Sequence, residues 1–302
     1  MNQETKENFI WYLLSFALFI ALYTEILSFF DIINKLSVVI GWLIFISFFY
    51  YLRKAYINVN SAKNFFFQRY DSYYIFFIFF VILVSFIICL IYPPNNSDAL
   101  SYRLPKVEQW IQNKDLSIFP TSDLRQVMYP SFSEYVILHL KLIFNSDYSV
   151  NFIQLFSMIG SIIVVSLISS KLGCKNKNII FGLIFCISIP MGILQSNSSQ
   201  TDYLVTLWIV TCIYFIISFI IKNRLKYIIG ISISLGLATL TKPTAYIFLF
   251  PFCLWLFFDV LKNKRENFKY LFIIPIVFLV INFGIFFRNF EFFLNPLGSN
   301  VG

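Results

Sequence analysis

Long apolar runs, separated by short polar segments, repeat along the whole chain. Each run approaches or exceeds the roughly 18 residues that a helix needs to cross a bilayer. The pattern predicts an all-α membrane protein with about nine transmembrane helices. The predicted spans lie at about 9–29, 35–52, 73–92, 149–170, 178–194, 203–221, 227–241, 244–261 and 270–288. The fifth and seventh are short, which leaves tilted, broken or re-entrant helices open at those two positions.

Composition supports a membrane protein rather than a soluble one. Of the 302 residues, 59% are hydrophobic and 21% are aromatic, and one soluble core of this size could not hide all 39 phenylalanines. The five cysteines fall in apolar runs or in a short basic loop, at spacings that suit neither zinc nor an iron–sulfur cluster. We interpret them as small apolar side chains and predict no metal site from them.

The basic residues indicate how the helices are oriented. With the N-terminus in the cytoplasm, the inner segments near 53–70, 171–177, 222–226 and 262–269 each carry three or four Lys or Arg residues. Such basic inner loops follow the positive-inside rule. The net charge of +8 is therefore explained by topology, and nucleic acid is not expected as a partner.

One apolar segment, SFSEYVILHLKLIFN at 131–145, is too short and too charged to be read as a span. Spanning it would also place every later basic loop outside. We predict an interfacial helix along the outer face, within an outer loop that runs from about 93 to 148. The only histidine, His139, is expected to face the interface rather than to bind a ligand. An outer loop of this length is usually functional.

This topology brings four ionisable residues to the outer ends of helices. Asp98 follows the third span, Asp202 opens the sixth, Lys242 lies between the seventh and eighth, and Arg288 ends the ninth. Ionisable residues at membrane depth normally line cavities. A carboxylate can take a proton from a hydroxyl, and Lys and Arg can hold a phosphate. Two carboxylates and two cations on one face suit a site that handles both groups.

Each of these residues also has a purely structural interpretation. Ser97 or Asp98 could cap a helix, and so could Asp202. Lys242 and Arg288 could reach from helix ends to the lipid headgroups. Two isolated carboxylates are too few ligands to argue for a metal.

Four stretches, in this order, resemble bacterial membrane glycosyltransferases of the GT-C type. They are PPNNSDALSYRLPKVEQWIQNKDLSIFPTSDLRQVMYPSFSEYVILHL, PMGILQSNSSQTDY, GLATLTKPTAY and RNFEFFLNPLG. This group includes protein O-mannosyltransferases and the lipid A aminoarabinose transferase. The resemblance covers roughly 73–302, which we take as the catalytic module, with 1–72 forming two additional helices and a basic cytoplasmic loop.

The resemblance implies transfer of a sugar from a polyprenyl phosphate to an acceptor hydroxyl at the outer face of a bacterial cytoplasmic membrane. Asp98 matches the catalytic acidic residue, Asp202 a second acidic residue, and Lys242 a lysine associated with the lipid-linked phosphate. The segment 131–145 matches helices that frame the site. The acceptor would be a glycan, a lipid or a protein. No cofactor is required by the resemblance, and a divalent metal stays open.

Further substrate-binding candidates follow from position in these motifs. Arg288, Arg103 and Lys106 would help Lys242 to hold the phosphate, and Tyr102 lies beside Arg103. The chain differs from the pattern of these glycosyltransferases at two places: Ser97 and Ala99 flank Asp98 where an acidic pair is frequent, and Arg103 stands where a histidine is common. It also ends in an outer segment, where many relatives continue, so a minimal enzyme and a truncated one are both open. The rival interpretations are a transporter or lipid flippase, and a non-catalytic relative.

Overall fold

The computed structural model describes residues 3–56 and 72–298, and these residues form helices without strands. Thirteen α-helices follow one another: α1 (Gln3–Phe29), α2 (Lys35–Tyr56), α3 (Ser72–Ile91), α4 (Leu104–Asn113), α5 (Arg125–Met128), α6 (Phe132–Phe144), α7 (Phe152–Lys171), α8 (Asn176–Ser188), α9 (Pro190–Ser196), α10 (Asp202–Lys222), α11 (Leu225–Thr241), α12 (Thr244–Asn263) and α13 (Ile273–Phe293). Short 3₁₀ turns precede α7 and α13, and a π-helical turn, Ala99–Arg103, precedes α4. The predicted all-α membrane fold is confirmed.

Helices lie at all nine predicted span positions. Six of the helical segments described are long and apolar enough to cross a membrane. The fifth predicted span is broken, because α8 and α9 meet at a bend of 70°. The bend falls at Ile189, whose extended backbone is what a residue before proline prefers. The apolar part of α2, 35–51, and α11, 225–241, are shorter than the other spans.

The centre of the bundle is formed by α10 and α11, which pack against each other and against α7, α12 and α13. Two glycines of α11 allow this close approach. A Cβ at Gly230 would lie 2.7 Å from the ring of Phe215, and one at Gly236 would lie 2.8 Å from Ile281. Small residues at helix contacts are typical of membrane bundles, where packing rather than water drives association.

Helix α1 packs against α6, α7, α11 and α13. Near its N-terminus, Glu7 accepts hydrogen bonds from the Tyr214 hydroxyl (2.9 Å) and from Lys226 Nζ (2.6 Å). The division of the chain into 1–72 and 73–302 is therefore not a division in packing, and as a statement about function it stays a prediction. Most of the basic loop at 53–70, which the sequence predicts to be cytoplasmic, lies outside the described residues.

The predicted helix at 131–145 is present as α6, but it is an internal element rather than an exposed one. Eight of its 13 residues are buried, and it packs against α1, α2, α4 and α11. The expectation that His139 faces the interface is wrong. Trp42 Nε1 donates to His139 Nδ1 (3.0 Å), and His139 Nε2 lies 3.0 Å from Thr24 Oγ1. Burial lowers the pKa of His139 to about 4, so the ring stays neutral near pH 7.

Candidate active site

A polar cavity of about 370 Å³ lies where the loop between α3 and α6 meets the start of α10 and the end of α11. We call it the Asp98 cavity. It is lined by residues of the segments 98–103, 125–134 and 241–244, and by Thr201. These pieces come from three of the motifs of the sequence: 98–103 and 125–134 from the first, Thr201 from the second, and 241–244 from the third. The fold thus collects their side chains around one space.

Asp98 directly precedes the π-helical turn and lies half-buried at the cavity. Its side chain does not cap that turn. The capping bond is made by Asn96, whose Oδ1 accepts from the Ala99 N–H (2.8 Å) and whose Nδ2 donates to Ser199 Oγ (2.7 Å). Among the described residues, the Asp98 carboxylate therefore has no structural hydrogen-bond partner. It is available to accept a proton from a bound hydroxyl.

Arg103 ends the π-helical turn and is buried at the base of the cavity. Its Nη1 lies 3.3 Å from Glu134 Oε1 on α6. Its Nη2 donates to Thr201 Oγ1 (3.2 Å) and to the Tyr102 hydroxyl (3.1 Å). The guanidinium thereby connects the π-helical turn, α6 and the residue that precedes α10.

Tyr102 forms an aromatic wall of the cavity. Its ring centroid lies 5.2 Å from Arg103 Cζ and 5.0 Å from Arg125 Cζ, within the range of cation–π attraction. Tyr129 meets this ring edge-on at a centroid distance of 5.6 Å. Burial raises the pKa of Tyr102, so its hydroxyl stays protonated.

Lys242 enters the cavity from the end of α11, and its Nζ donates to Asp202 Oδ1 at 2.7 Å. Its backbone is extended because it precedes Pro243. The side chains of Lys242 and Asp202 are 34% and 44% exposed, so the ion pair is open to exchange with another charged group. Asp202 is not part of the cavity lining, and its carboxylate is linked to the cavity by this contact with Lys242.

Lys106 lies behind the cavity wall rather than at its surface. Its Nζ is buried and donates to the Tyr129 carbonyl and to Ser131 Oγ, both at 3.0 Å. Burial lowers the pKa of Lys106 to about 8, against the opposing effect of Glu134. Lys106 therefore fixes the turn that carries Tyr129 and Pro130 into the cavity lining.

Arg288 lies in a different space, a cavity of about 760 Å³ between α1, α13 and the segment 115–118. We call it the Glu25 cavity. Arg288 makes two hydrogen bonds to the Glu25 carboxylate (2.6 and 2.8 Å) and a third to the Tyr135 hydroxyl (2.8 Å). The other charged residues that line this cavity are the acidic Asp31, Asp115 and Glu291.

The structure thus brings Asp98, Tyr102, Arg103 and Lys242 to one cavity, with Asp202 attached through Lys242. It places Lys106 behind the wall and Arg288 in the Glu25 cavity. No group of three or more His, Cys, Asp or Glu side chains is arranged for a metal ion within 3–56 and 72–298.

The lining of the Asp98 cavity also includes residues that the sequence does not single out, among them Arg125, Glu134 and Thr201. In the sequence, Glu134 stands out only as a charge that argues against a membrane span. Its position four residues after Pro130, on a helix otherwise rich in apolar residues, was the available signal. Arg125 carried no signal, because it lies among other polar loop residues.

Comparison with known proteins identifies a family. The family model described as dolichyl-phosphate-mannose-protein mannosyltransferase matches residues 130–285, just over half of the chain. The match includes Glu134, Thr201 and Lys242, whereas Asp98 and Arg103 precede it. No curated protein and no solved structure matches the chain. On the family match, together with its helices, the chain belongs to the dolichyl-phosphate-mannose-protein mannosyltransferase family, a family of GT-C type membrane glycosyltransferases.

Proposed function

We propose that this chain transfers a sugar from a polyprenyl phosphate to an acceptor hydroxyl at the outer face of a bacterial cytoplasmic membrane. The observation that carries the proposal is the Asp98 cavity, where a carboxylate without a hydrogen-bond partner in 3–56 and 72–298 lies with Tyr102 and Lys242. The family name supports a lipid-linked sugar donor. The acceptor remains a class: a glycan, a lipid or a protein that bears a hydroxyl.

The proposed chemistry is one inverting displacement. The acceptor oxygen forms a bond to the anomeric carbon of the sugar while the bond from that carbon to the phosphate oxygen breaks. Asp98 takes the proton of the acceptor hydroxyl, and the phosphate leaves with the bonding electrons. A base placed in this way contributes about 10²–10⁴-fold to such a reaction. Cations near the phosphate stabilise the charge that develops on it.

Lys242 and Arg125 are the cations that can meet the leaving phosphate, because both line the cavity and keep part of their side chains exposed. Each has an acidic partner, Asp202 for Lys242 and Asp123 for Arg125. Hydrogen bonds from Arg125 hold the pKa of Asp123 below its usual value. A phosphate can compete for both cations, since exposed ion pairs are weak.

The apolar tail of the donor needs a groove near this cavity. A groove of about 560 Å³ is lined almost entirely by apolar side chains of α1, α6, α7 and α10. Phe132 and Val136 line it on α6, the helix that carries Glu134 into the Asp98 cavity. Leu204 lines it on α10, close to Thr201. We place the first isoprene units of the donor in this groove.

Lys242→Met is expected to weaken binding of a polyprenyl-phosphate sugar by about 10- to 100-fold, the equivalent of one charge-assisted hydrogen bond of about 1.5–3 kcal/mol. Lys242→Arg should recover part of the affinity, because its planar fork replaces a point charge. Donor affinity can be measured on the purified protein in nanodiscs. Lys35→Met, at an exposed outer lysine, is the matched control. Unchanged affinity in Lys242→Met would assign this lysine a helix-end role.

The proposed orientation is tested with a cysteine that the chain already has. Cys174 is exposed in a short basic loop that we place in the cytoplasm, and Gln112 is exposed near the end of α4, which we place outside. A membrane-impermeant maleimide added to intact cells should label Gln112→Cys. Cys174 should react only after the cells are permeabilised. Labelling of Cys174 in intact cells would show that the true topology is the reverse of the proposed one.

A further inference from the structure

The ion pair between Arg103 and Glu134 is unusual for a buried pair, because its hydrogen-bonding capacity is only partly used. The two side chains are 6% and 3% exposed, and a single contact of 3.3 Å joins them. Glu134 Oε2 and Arg103 Nε are buried without a hydrogen-bond partner among the described residues. Burying charges is costly unless the remaining polar atoms are also satisfied, so this pair is a poor device for stability alone.

The ion pair between Arg288 and Glu25 is more fully hydrogen-bonded than the Arg103–Glu134 pair. Arg288 uses two nitrogens on the two oxygens of Glu25, and it also donates to Tyr135. That arrangement satisfies both carboxylate oxygens, as expected of a pair that holds helices together. The Arg103–Glu134 pair instead lies at the Asp98 cavity and leaves atoms unused.

The backbone that carries Asp98 needs support. The turn Ala99–Arg103 is π-helical, a form that is rare and that occurs mostly as single turns, often at functional sites. It begins directly after Asp98 and ends at Arg103. Asn96 holds its first N–H, and the Arg103 guanidinium holds its last residue to Glu134 and Thr201. The two ends of the turn are thus fixed to different parts of the protein.

We propose that Arg103 and Glu134 are positioning residues: the pair pins the π-helical turn to α6 and to the start of α10, and thereby sets the place of the Asp98 carboxylate relative to Lys242. The consequence for the reaction rests on the proposed function. Arg103 then acts through the backbone of the turn rather than as a phosphate ligand. Both of its terminal nitrogens already bond within the protein and the side chain is buried, whereas Lys242 and Arg125 keep part of their side chains exposed.

The test removes both charges together, because a lone buried charge would destabilise the protein whatever its role. In Arg103→Met/Glu134→Met the pair is replaced by apolar side chains, which buried pairs usually tolerate. The control is Glu7→Met/Lys226→Met, which removes an ion pair at the inner end of the bundle. Glu134→Asp keeps the charge on a shorter side chain, so it should lose less turnover than Arg103→Met/Glu134→Met.

We call Arg103→Met/Glu134→Met the outer double variant and Glu7→Met/Lys226→Met the inner control. The outer double variant should fold and bind donor like wild type. Its turnover should fall about 10²-fold, the loss that a small misplacement of a catalytic group can cause. In the Asp98→Asn background the same two substitutions should cause almost no further loss, because the group that they position is already removed. A KM that rises while kcat is unchanged would overturn the proposal in favour of substrate contact. Additive losses in the two backgrounds would also overturn it.

Hydrogen exchange decides the positioning role without any activity. Backbone amides of 99–103 should exchange faster in the outer double variant, while those of α10 and α11 keep wild-type rates and the inner control changes neither. Unchanged exchange at 99–103 would show that the pair does not hold the turn. If wild type transfers no sugar but the exchange of 99–103 rises as expected, the positioning role stands and the proposed function fails.

Discussion

Asp98→Asn is expected to lower sugar transfer by about 10²–10⁴-fold, because it removes the general base and leaves the cations of the cavity in place. Folding should be nearly unaffected. The Asp98 side chain makes no capping hydrogen bond, and the Ala99 N–H is satisfied by Asn96. Donor affinity should also stay close to wild type, since Lys242 is unchanged. Single-turnover transfer, thermal unfolding and donor binding measure these three quantities on one preparation.

Asp202→Asn serves as the comparison for Asp98→Asn. Its carboxylate is paired with Lys242 and reaches the cavity only through that lysine. We expect a smaller effect on transfer, together with a change in donor affinity, because Lys242 loses its resting partner. Near-normal transfer by Asp98→Asn would remove Asp98 from the mechanism and leave Asp202 as the better candidate base.

Arg288→Met is expected to destabilise the protein by about 3 kcal/mol, the lower end of the range for breaking a buried ion pair. The lower end applies because the side chains of Arg288 and Glu25 are partly exposed in the Glu25 cavity, at 15% and 22%. The variant leaves the Glu25 carboxylate with one hydrogen bond, from Tyr135. Thermal unfolding in detergent measures the loss, and donor affinity per folded molecule should be unchanged.

The double variant Glu25→Gln/Arg288→Met separates an ion-pair role from a phosphate-binding role. Removing both charges should recover most of the lost stability, since no unpaired buried charge remains. The sequence alone made Arg288 a candidate phosphate ligand, because it lies at the outer end of a span. If Arg288→Met is as stable as wild type but binds donor weakly, the sequence-based interpretation is correct and the structural one is wrong.

The helices of this chain were predictable because span length and apolar content are local properties. The break at Ile189 had a visible cause in Pro190, and the central position of α11 explains why a short apolar helix is tolerated. The arrival of Asp98 and Lys242 on one face followed from counting basic loops. The sequence therefore contained the main outline of the Asp98 cavity.

Contacts between distant side chains were beyond the sequence. Glu25 and Arg288 are 263 residues apart, and nothing local to either indicates that they form a pair. His139 is polar and lies in a short charged segment, so the sequence predicts that it faces the interface. The structure buries it between Thr24 and Trp42 of α1 and α2. Residues predicted on the same membrane face need not line the same cavity. Lys242 lines the Asp98 cavity, whereas Arg288 lines the Glu25 cavity.

The most direct test of the account is transfer from a labelled polyprenyl-phosphate sugar by the purified protein in nanodiscs, with membrane extract as the source of acceptor. The account predicts free polyprenyl phosphate and a glycosylated product of inverted anomeric configuration. It also predicts that Asp98→Asn, although folded and able to bind donor, forms little of either. Donor that stays intact across a panel of sugars, or release that is equal in wild type and Asp98→Asn, would contradict it.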